Sequence, residues 1–263
     1  MKAVARAIWK GTLRFGKVQL PVKLYSAVAD RKIHFRLLHE KDLVPVHQHM
    51  VEPESGRIVS REEMRKGYEA DSGAVVVLED DELAALEPEA SRDIEITRFV
   101  PASQIDHQWY ERPYYLGPDE DTGSYFALAR ALAEGGREGV ARWVMRTKEY
   151  AGSLRERDGR LVLITLRHAG EVIPASALPA PGGRKLDTKE LAMARQLLDS
   201  LAGTFDPEDY ADHYRERVLE LVEAKSAGRV LEFPKRRRRA ASGSLTDLLA
   251  ASLKRARAGG AGA

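Results

Sequence analysis

Cysteine is absent from the 263 residues, which excludes disulfides, a thiol nucleophile and any zinc site built on thiolates. That absence fits a reducing compartment. No apolar run approaches the ~20 residues of a membrane span, and Met1 to Lys10 lack the long apolar core of a secretory leader. A cytoplasmic protein with no membrane association is expected. No GxGxxG, GxxxxGK[ST] or GxSxG pattern occurs, and Gly135-Gly136 and Gly182-Gly183 read as loop glycines. No nucleophile, base and orienter stand in motif form, which leaves open only a triad assembled in space.

What is present divides unevenly by charge. The formal net charge is +2, yet residues 230–263 hold eight Lys/Arg against two acids, a balance of +6 that leaves 1–229 at −4. The tail is therefore the candidate for contact with a polyanion, and any basic site in the body has to be arranged locally. A chain of this length can bury roughly 75% of its unfolded surface, enough for a core without staples.

The N-terminal quarter alternates. Val18, Leu20, Val22 and Leu24 point one way and Gln19, Pro21, Lys23 and Tyr25 the other, the period of a half-buried strand. Pro21 points to an edge or irregular strand, and Gly11 and Gly16 to a bend or bulge just before it. Val75–Leu78, Ile94–Val100, Val140–Arg146 and Leu161–Leu166 also read as strands. Asp158-Gly159, between Tyr150–Arg157 and Arg160–Leu166, is a two-residue hairpin signal. Many short strands with few helices predict a mainly β fold, a barrel or a sandwich. Residues 40–70 interrupt the rhythm as a polar insertion. Short helices are predicted at Asp80–Leu86 and Ser124–Glu134.

After residue 183 the period becomes helical. Asp187 or Thr188 caps a helix closed by Gly203, and Asp206-Pro207 opens a second helix running to Ala227, with Gly228 at its C′ position. Tyr210, Tyr214, Val218, Leu221 and Val222 form its apolar stripe. The organisation read from this is a β domain over 1–183, a helical arm over 184–229, and a basic linker with a short amphipathic helix over 230–263. That last helix carries Leu245, Leu248, Leu249 and Leu253 on one face. It is too short to stand alone in water, so it is a candidate partner-binding peptide.

Two clusters admit chemical readings. Glu79-Asp80-Asp81-Glu82 can be a metal or nuclease site, or acids placed at the positive end of a helix dipole. His34, His39, His47 and His49 fall within sixteen residues, which allows a histidine-only zinc site; surface histidines near phosphates are the other reading.

Basic and aromatic residues interleave in Arg6-Ala7-Ile8-Trp9-Lys10-Gly11 and Phe15-Gly16-Lys17-Val18-Gln19-Leu20-Pro21-Val22-Lys23-Leu24-Tyr25. These stretches closely resemble the opening signature of prokaryotic Ku proteins. The resemblance continues through Leu38-His39-Glu40-Lys41-Asp42, Lys66-Gly67-Tyr68-Glu69, Pro113-Tyr114-Tyr115-Leu116 and Phe205-Asp206-Pro207, covering about Arg6 to Lys225. It implies a β-barrel core and a non-enzymatic homodimer, with no catalytic residue and no cofactor, forming a ring threaded by double-stranded DNA. It further implies binding to DNA ends without sequence preference, and recruitment of a multifunctional ATP-dependent DNA ligase for non-homologous end joining in a bacterial cytoplasm, on the nucleoid. Some members carry Cys pairs in the bridge that resemble a zinc ribbon. Here Val46-His47-Gln48-His49 stands instead, so no metal is expected.

Under that resemblance, Lys10, Arg14, Lys17 and Lys23 are candidates for phosphate contact near the barrel, and Arg57, Arg61, Arg65 and Lys66 for contact from the bridge. Lys235, Arg236, Arg237, Arg238 and Arg239 are expected to add sequence-independent attraction from the tail. The leucines of 245–253 are candidates for docking the ligase. The alternatives are a metal-dependent nuclease using Glu79–Glu82, and a general chromosome-coating protein driven by the tail.

Overall fold

Alternation places one apolar face of each strand toward a common interior, and seven such strands close on themselves. The computed structural model describes residues 6–180, 182–183, 187–230 and 245–259. From the N-terminus run β1 (Trp9–Phe15), β2 (Val18–Ser26), β3 (Lys66–Glu69), β4 (Val75–Leu78) and α1 (Asp80–Ala85). β5 (Asp93–Pro101), β6 (Tyr110–Pro118), α2 (Thr122–Gly135), β7 (Arg137–Met145), β8 (Lys148–Arg157) and β9 (Arg160–Leu166) follow. Three helices complete the described chain: α3 (Thr188–Ser200), α4 (His213–Ser226) and α5 (Leu245–Gly259). The chain divides into two compact units, Met1–Ala177 and Leu178–Ala263.

In the first unit the strands close as β1-β2-β6-β9-β8-β7-β5, antiparallel throughout except where β5 pairs in parallel with β1. Leu13, Leu20, Val22, Leu24, Ile94, Leu116, Leu154, Leu161 and Leu163 fill the interior. Each such side chain contributes about 1.5–3 kcal/mol when fully buried. The predicted mainly β architecture and the alternation of β2 are thus realised.

Closure also corrects one reading. β2 lies between β1 and β6 and is not an edge, because a closed barrel has none. Pro21 is tolerated there because pairing with β6 starts only at Val22↔Pro118. Gly16 is likewise no bulge. With φ +54° it opens the two-residue Gly16-Lys17 turn joining β1 to β2. The Asp158-Gly159 hairpin forms as the sequence predicts, both residues at positive φ (+51° and +76°) between the paired Arg157 and Arg160, the conformation of a type I′ turn.

α2 packs on β7, β8 and β9, and Tyr125 fixes it there. Its hydroxyl donates to the Leu116 carbonyl at 2.6 Å and accepts from the Leu161 amide at 2.8 Å. The residue is 1% exposed, so both bonds are made away from water.

Between β2 and β5 the chain leaves the barrel for residues 27–92, a longer excursion than 40–70. It contains two small bridged loops (Leu38↔Pro45 and Val51↔Ile58), the β3–β4 hairpin and α1. None of its residues is buried.

In the second unit Asp187 caps α3, accepting from the Glu190 amide at 2.7 Å while Glu190 reaches back to the Asp187 amide. The helix expected from Asp206 to Ala227 is broken. Pro207–Tyr210 forms a single 3-10 turn capped by Asp206, and Asp212 caps a separate start for α4. Asp206 and Asp212, six residues apart, each cap a start of their own, so the chain restarts rather than continues. Gly228, at φ +68°, occupies the C′ position. α5 packs against α3 rather than standing free, with the Thr246 hydroxyl 3.3 Å from a Glu190 carboxylate oxygen.

Candidate nucleic-acid interface

Lys10 and Lys23 are cross-strand partners on the outer face of β1 and β2. Like charges set opposite each other are unfavourable, and Asp119, just past the end of β6, resolves this. Its carboxylate lies 3.3 Å from Lys10 Nζ and is also ion-paired with Lys23. The hydrogen bond to Asp119 raises the Lys23 pKa above its ordinary value, and the same bond holds the Asp119 carboxyl below the ordinary carboxylate range. Arg14, on the same face of β1, pairs with Asp93 at 2.6 Å. Lys17 stands at the tip of the β1–β2 turn.

The excursion repeats this arrangement. Arg57 pairs with Glu63 at 2.9 Å, Arg65 with Glu79 at 3.6 Å and Lys66 with Asp80 at 2.9 Å. Arg61 and Lys17 have no carboxylate within ion-pair distance among the described residues. Six of the eight described basic candidates therefore already hold an acid. All are exposed or half-exposed, where an ion pair is worth little and exchanges readily for a phosphate. Asp119, Asp93 and Asp80 are the partners that sequence reading missed. The β1–β2 register would have shown that Lys10 and Lys23 need an acid between them.

The acidic run has a structural use. The Glu79 side chain and Glu82 form a capping box at the start of α1, and Lys66 lowers the Asp80 pKa. Among the described residues no group of three His, Cys, Asp or Glu side chains is placed to hold a metal ion. The barrel's buried carboxylate, Glu138, accepts from the Tyr110 hydroxyl at 2.7 Å and from the Ser153 hydroxyl, and faces Arg155 at 3.4 Å. Burial and then this hydrogen bond push the Tyr110 phenol well above its ordinary pKa. Glu138 thus serves to tie β6, β7 and β8 together.

Lys235, Arg236, Arg237, Arg238 and Arg239 lie outside the described residues, as does the side chain of Leu245. Of the other leucines, Leu248 is exposed, Leu249 half-buried and Leu253 buried in the α3–α5 pair. In the described residues no helix is long and apolar enough to cross a membrane.

The family model for the Ku70/Ku80 beta-barrel domain matches residues 14–193. The chain belongs to the Ku family. It is 40% identical over 257 residues to the non-homologous end joining protein Ku of Anaeromyxobacter sp. (strain K), covering 97% of this chain and 87% of that protein. The Ku of Pseudomonas aeruginosa is 37% identical, over 98% of this chain and 90% of its own. That of Mycobacterium tuberculosis is 36% identical, over 85% and 84%. The matched span begins inside β1 and ends in α3, so it contains β2 to β9 and the excursion that carries Arg57, Arg61, Arg65 and Lys66.

Proposed function

We propose that this Ku protein is a homodimeric ring that binds double-stranded DNA ends without sequence preference and recruits and stimulates a multifunctional ATP-dependent DNA ligase for end joining. The observation that carries the reading is the excursion 27–92. It leaves a closed barrel, returns to it, and buries none of its residues. Sixty-six residues reach ~200 Å extended, or ~100 Å folded back as an arm. A duplex ~20 Å across needs about a third of that folded reach over half its girth, so two such arms can close around it.

The surface of the excursion supports a second copy as its cover. Phe35, Leu37, Leu43, Met50, Ile58, Tyr68 and Val75 are each more than half exposed, and an apolar surface of that extent on one excursion marks an interaction face. Ring closure also explains a preference for ends, because a closed hole loads only by threading. Base-edge contacts are then unnecessary, and phosphates supply the affinity. Lys10, Arg14, Lys17, Lys23, Arg57, Arg61, Arg65 and Lys66 are the proposed contacts, those in ion pairs trading carboxylate for phosphate, with the 235–239 run adding to them. The exposed faces of the helical unit, including Leu248, are the proposed ligase surface.

The test compares a ~40 base-pair duplex with open ends against the same duplex sealed at both ends by bulky hairpins, with the full chain at physiological salt. Strong preference for open ends is the expected result. Equal binding to open and sealed duplexes overturns threading.

A further inference from the structure

Register in the barrel slips once between β5 and β7. Ile96 faces Ala141 and Arg98 faces Val140, which leaves Thr97 as the extra residue of a β-bulge. A bulge bends its strand and re-aims side chains. Here Thr97 and Arg98, consecutive residues, are both exposed, while Ile96 is buried beneath them. The Thr97 hydroxyl donates to the Val140 carbonyl at 3.2 Å, holding the bulged turn to β7.

Arg142 is two residues from Val140 on β7 and so shares the outer face with Arg98, as its diagonal neighbour. The 3-10 turn Ala102–Gln104, at the end of β5, brings Gln104 and Ile105 alongside. The result is a concavity of about 460 Å³ lined by Thr97, Arg98, Gln104, Ile105, Val140 and Arg142 among others, with no carboxylate in its wall. Glu95 is the cross-strand partner of Arg142 and lines the neighbouring cleft. No ion pair within 4 Å joins Arg142 or Arg98 to any acid among the described residues.

We propose that this bulge-built concavity is a phosphate-binding site, in which the Arg98 and Arg142 guanidiniums and the Gln104 amide grip a phosphate of the DNA backbone. It differs from the lysines of β1 and β2 in that neither guanidinium is ion-paired within 4 Å to an acid among the described residues. A guanidinium pair is suited to bidentate capture of phosphate oxygens, and the Gln104 amide adds a neutral donor. The inference rests on the DNA-binding reading above, with free phosphate compounds as the other source of the same ligand chemistry.

The test uses the full chain carrying R98Q and R142Q together, and a second variant carrying R98K and R142K. Affinity for the open 40 base-pair duplex is measured from 50 to 200 mM salt. Each phosphate contact steepens the slope of log K against log salt by about 0.9. Losing the one phosphate held here lowers the slope by about 0.9, so the ratio of affinities at 50 and 200 mM falls about 3.5-fold. The Lys variant retains most of that slope, and unchanged thermal melting of both variants shows that the barrel is intact.

A parallel arm records the melting shift caused by millimolar sodium tripolyphosphate. A shift in the wild type that disappears in R98Q/R142Q, with the DNA slope unchanged, assigns the site to a free phosphate compound. An unchanged slope together with an unchanged tripolyphosphate shift overturns the site. Whether wild type prefers open over sealed duplex is read separately, so failure of the site and failure of the end-binding reading give different results.

Discussion

The β3–β4 hairpin gives the most direct test of what covers the excursion. A lone two-stranded hairpin is marginal in water, yet this one carries Val75, Val76 and Val77 in a row, 66%, 49% and 55% exposed. Val75 and Val77 pair with Glu69 and Gly67 on one face, and Val76 with Tyr68 on the other. Fully burying a valine is worth about 1.5–3 kcal/mol. These side chains are already about half covered, so covering the remainder of the three adds about 2–4 kcal/mol, a factor of roughly 30 to 1,000 in an association constant. Val77→Asp removes one contribution and adds a charge that must be desolvated, so the loss is expected at the upper end of that range. The assay is sedimentation velocity or mass photometry across nanomolar to micromolar protein. The expected outcome is a shift from dimer to monomer, with urea unfolding of the barrel unchanged because no residue of 27–92 is buried in it. A V77D protein that dimerises like wild type refutes the hairpin as a dimer surface.

Tyr125→Phe leaves the Leu116 carbonyl and the Leu161 amide without their shared partner and is expected to cost about 2–4 kcal/mol in urea unfolding, the unpaired amide carrying most of it. Gly152→Ala places a Cβ 2.5 Å from the Trp143 ring and 2.8 Å from the Ile164 carbonyl oxygen, an overpacking that lowers stability by about 1–3 kcal/mol in the same measurement. Asp119→Asn destabilises the barrel at neutral pH, and the difference from wild type shrinks as pH falls below 3.8 through the lowered pKa of Asp119, and again as pH rises past 10.5 through the raised pKa of Lys23. The same variant leaves Lys10 and Lys23 without an internal competitor and is expected to bind DNA more tightly, with a salt slope steeper by up to about 1.8.

The barrel was legible because its signal is local. Period-2 alternation in 18–24 and the Asp158-Gly159 turn are set by neighbours in sequence, and both survive folding unchanged. β1 and β6 were not read as strands, since Trp9, Gly11, Tyr110 and Pro113 blur their alternation. Gly11 is accounted for only by the Trp9 ring and the Arg92 carbonyl, which would lie 2.0 and 2.2 Å from an added Cβ. The continuous helix read after Asp206 failed for a related reason. Asp212 is a second N-cap, and two caps in one segment cannot be ranked from propensity alone. The excursion was visible as an interruption but not in extent, because Val75–Leu78 reads as any other strand until the barrel is seen to close without it.

The basic candidates were legible as charges, not as states. Lys10 and Lys23 are one register step of the β1–β2 hairpin, and only that register shows them converging on Asp119. A lysine that leaves an exposed carboxylate for a phosphate gains less than one that leaves water, because the released carboxylate must be resolvated and recruits its own counterion. The protein's affinity therefore grows less per basic residue than a count of basic residues implies, while the geometry of contact stays fixed by the rigid barrel. Weak contacts held in a fixed array suit the proposed ring, which would have to move along any sequence. Under the proposed site, the guanidiniums of Arg98 and Arg142 add more affinity per residue than the acid-paired lysines of β1 and β2.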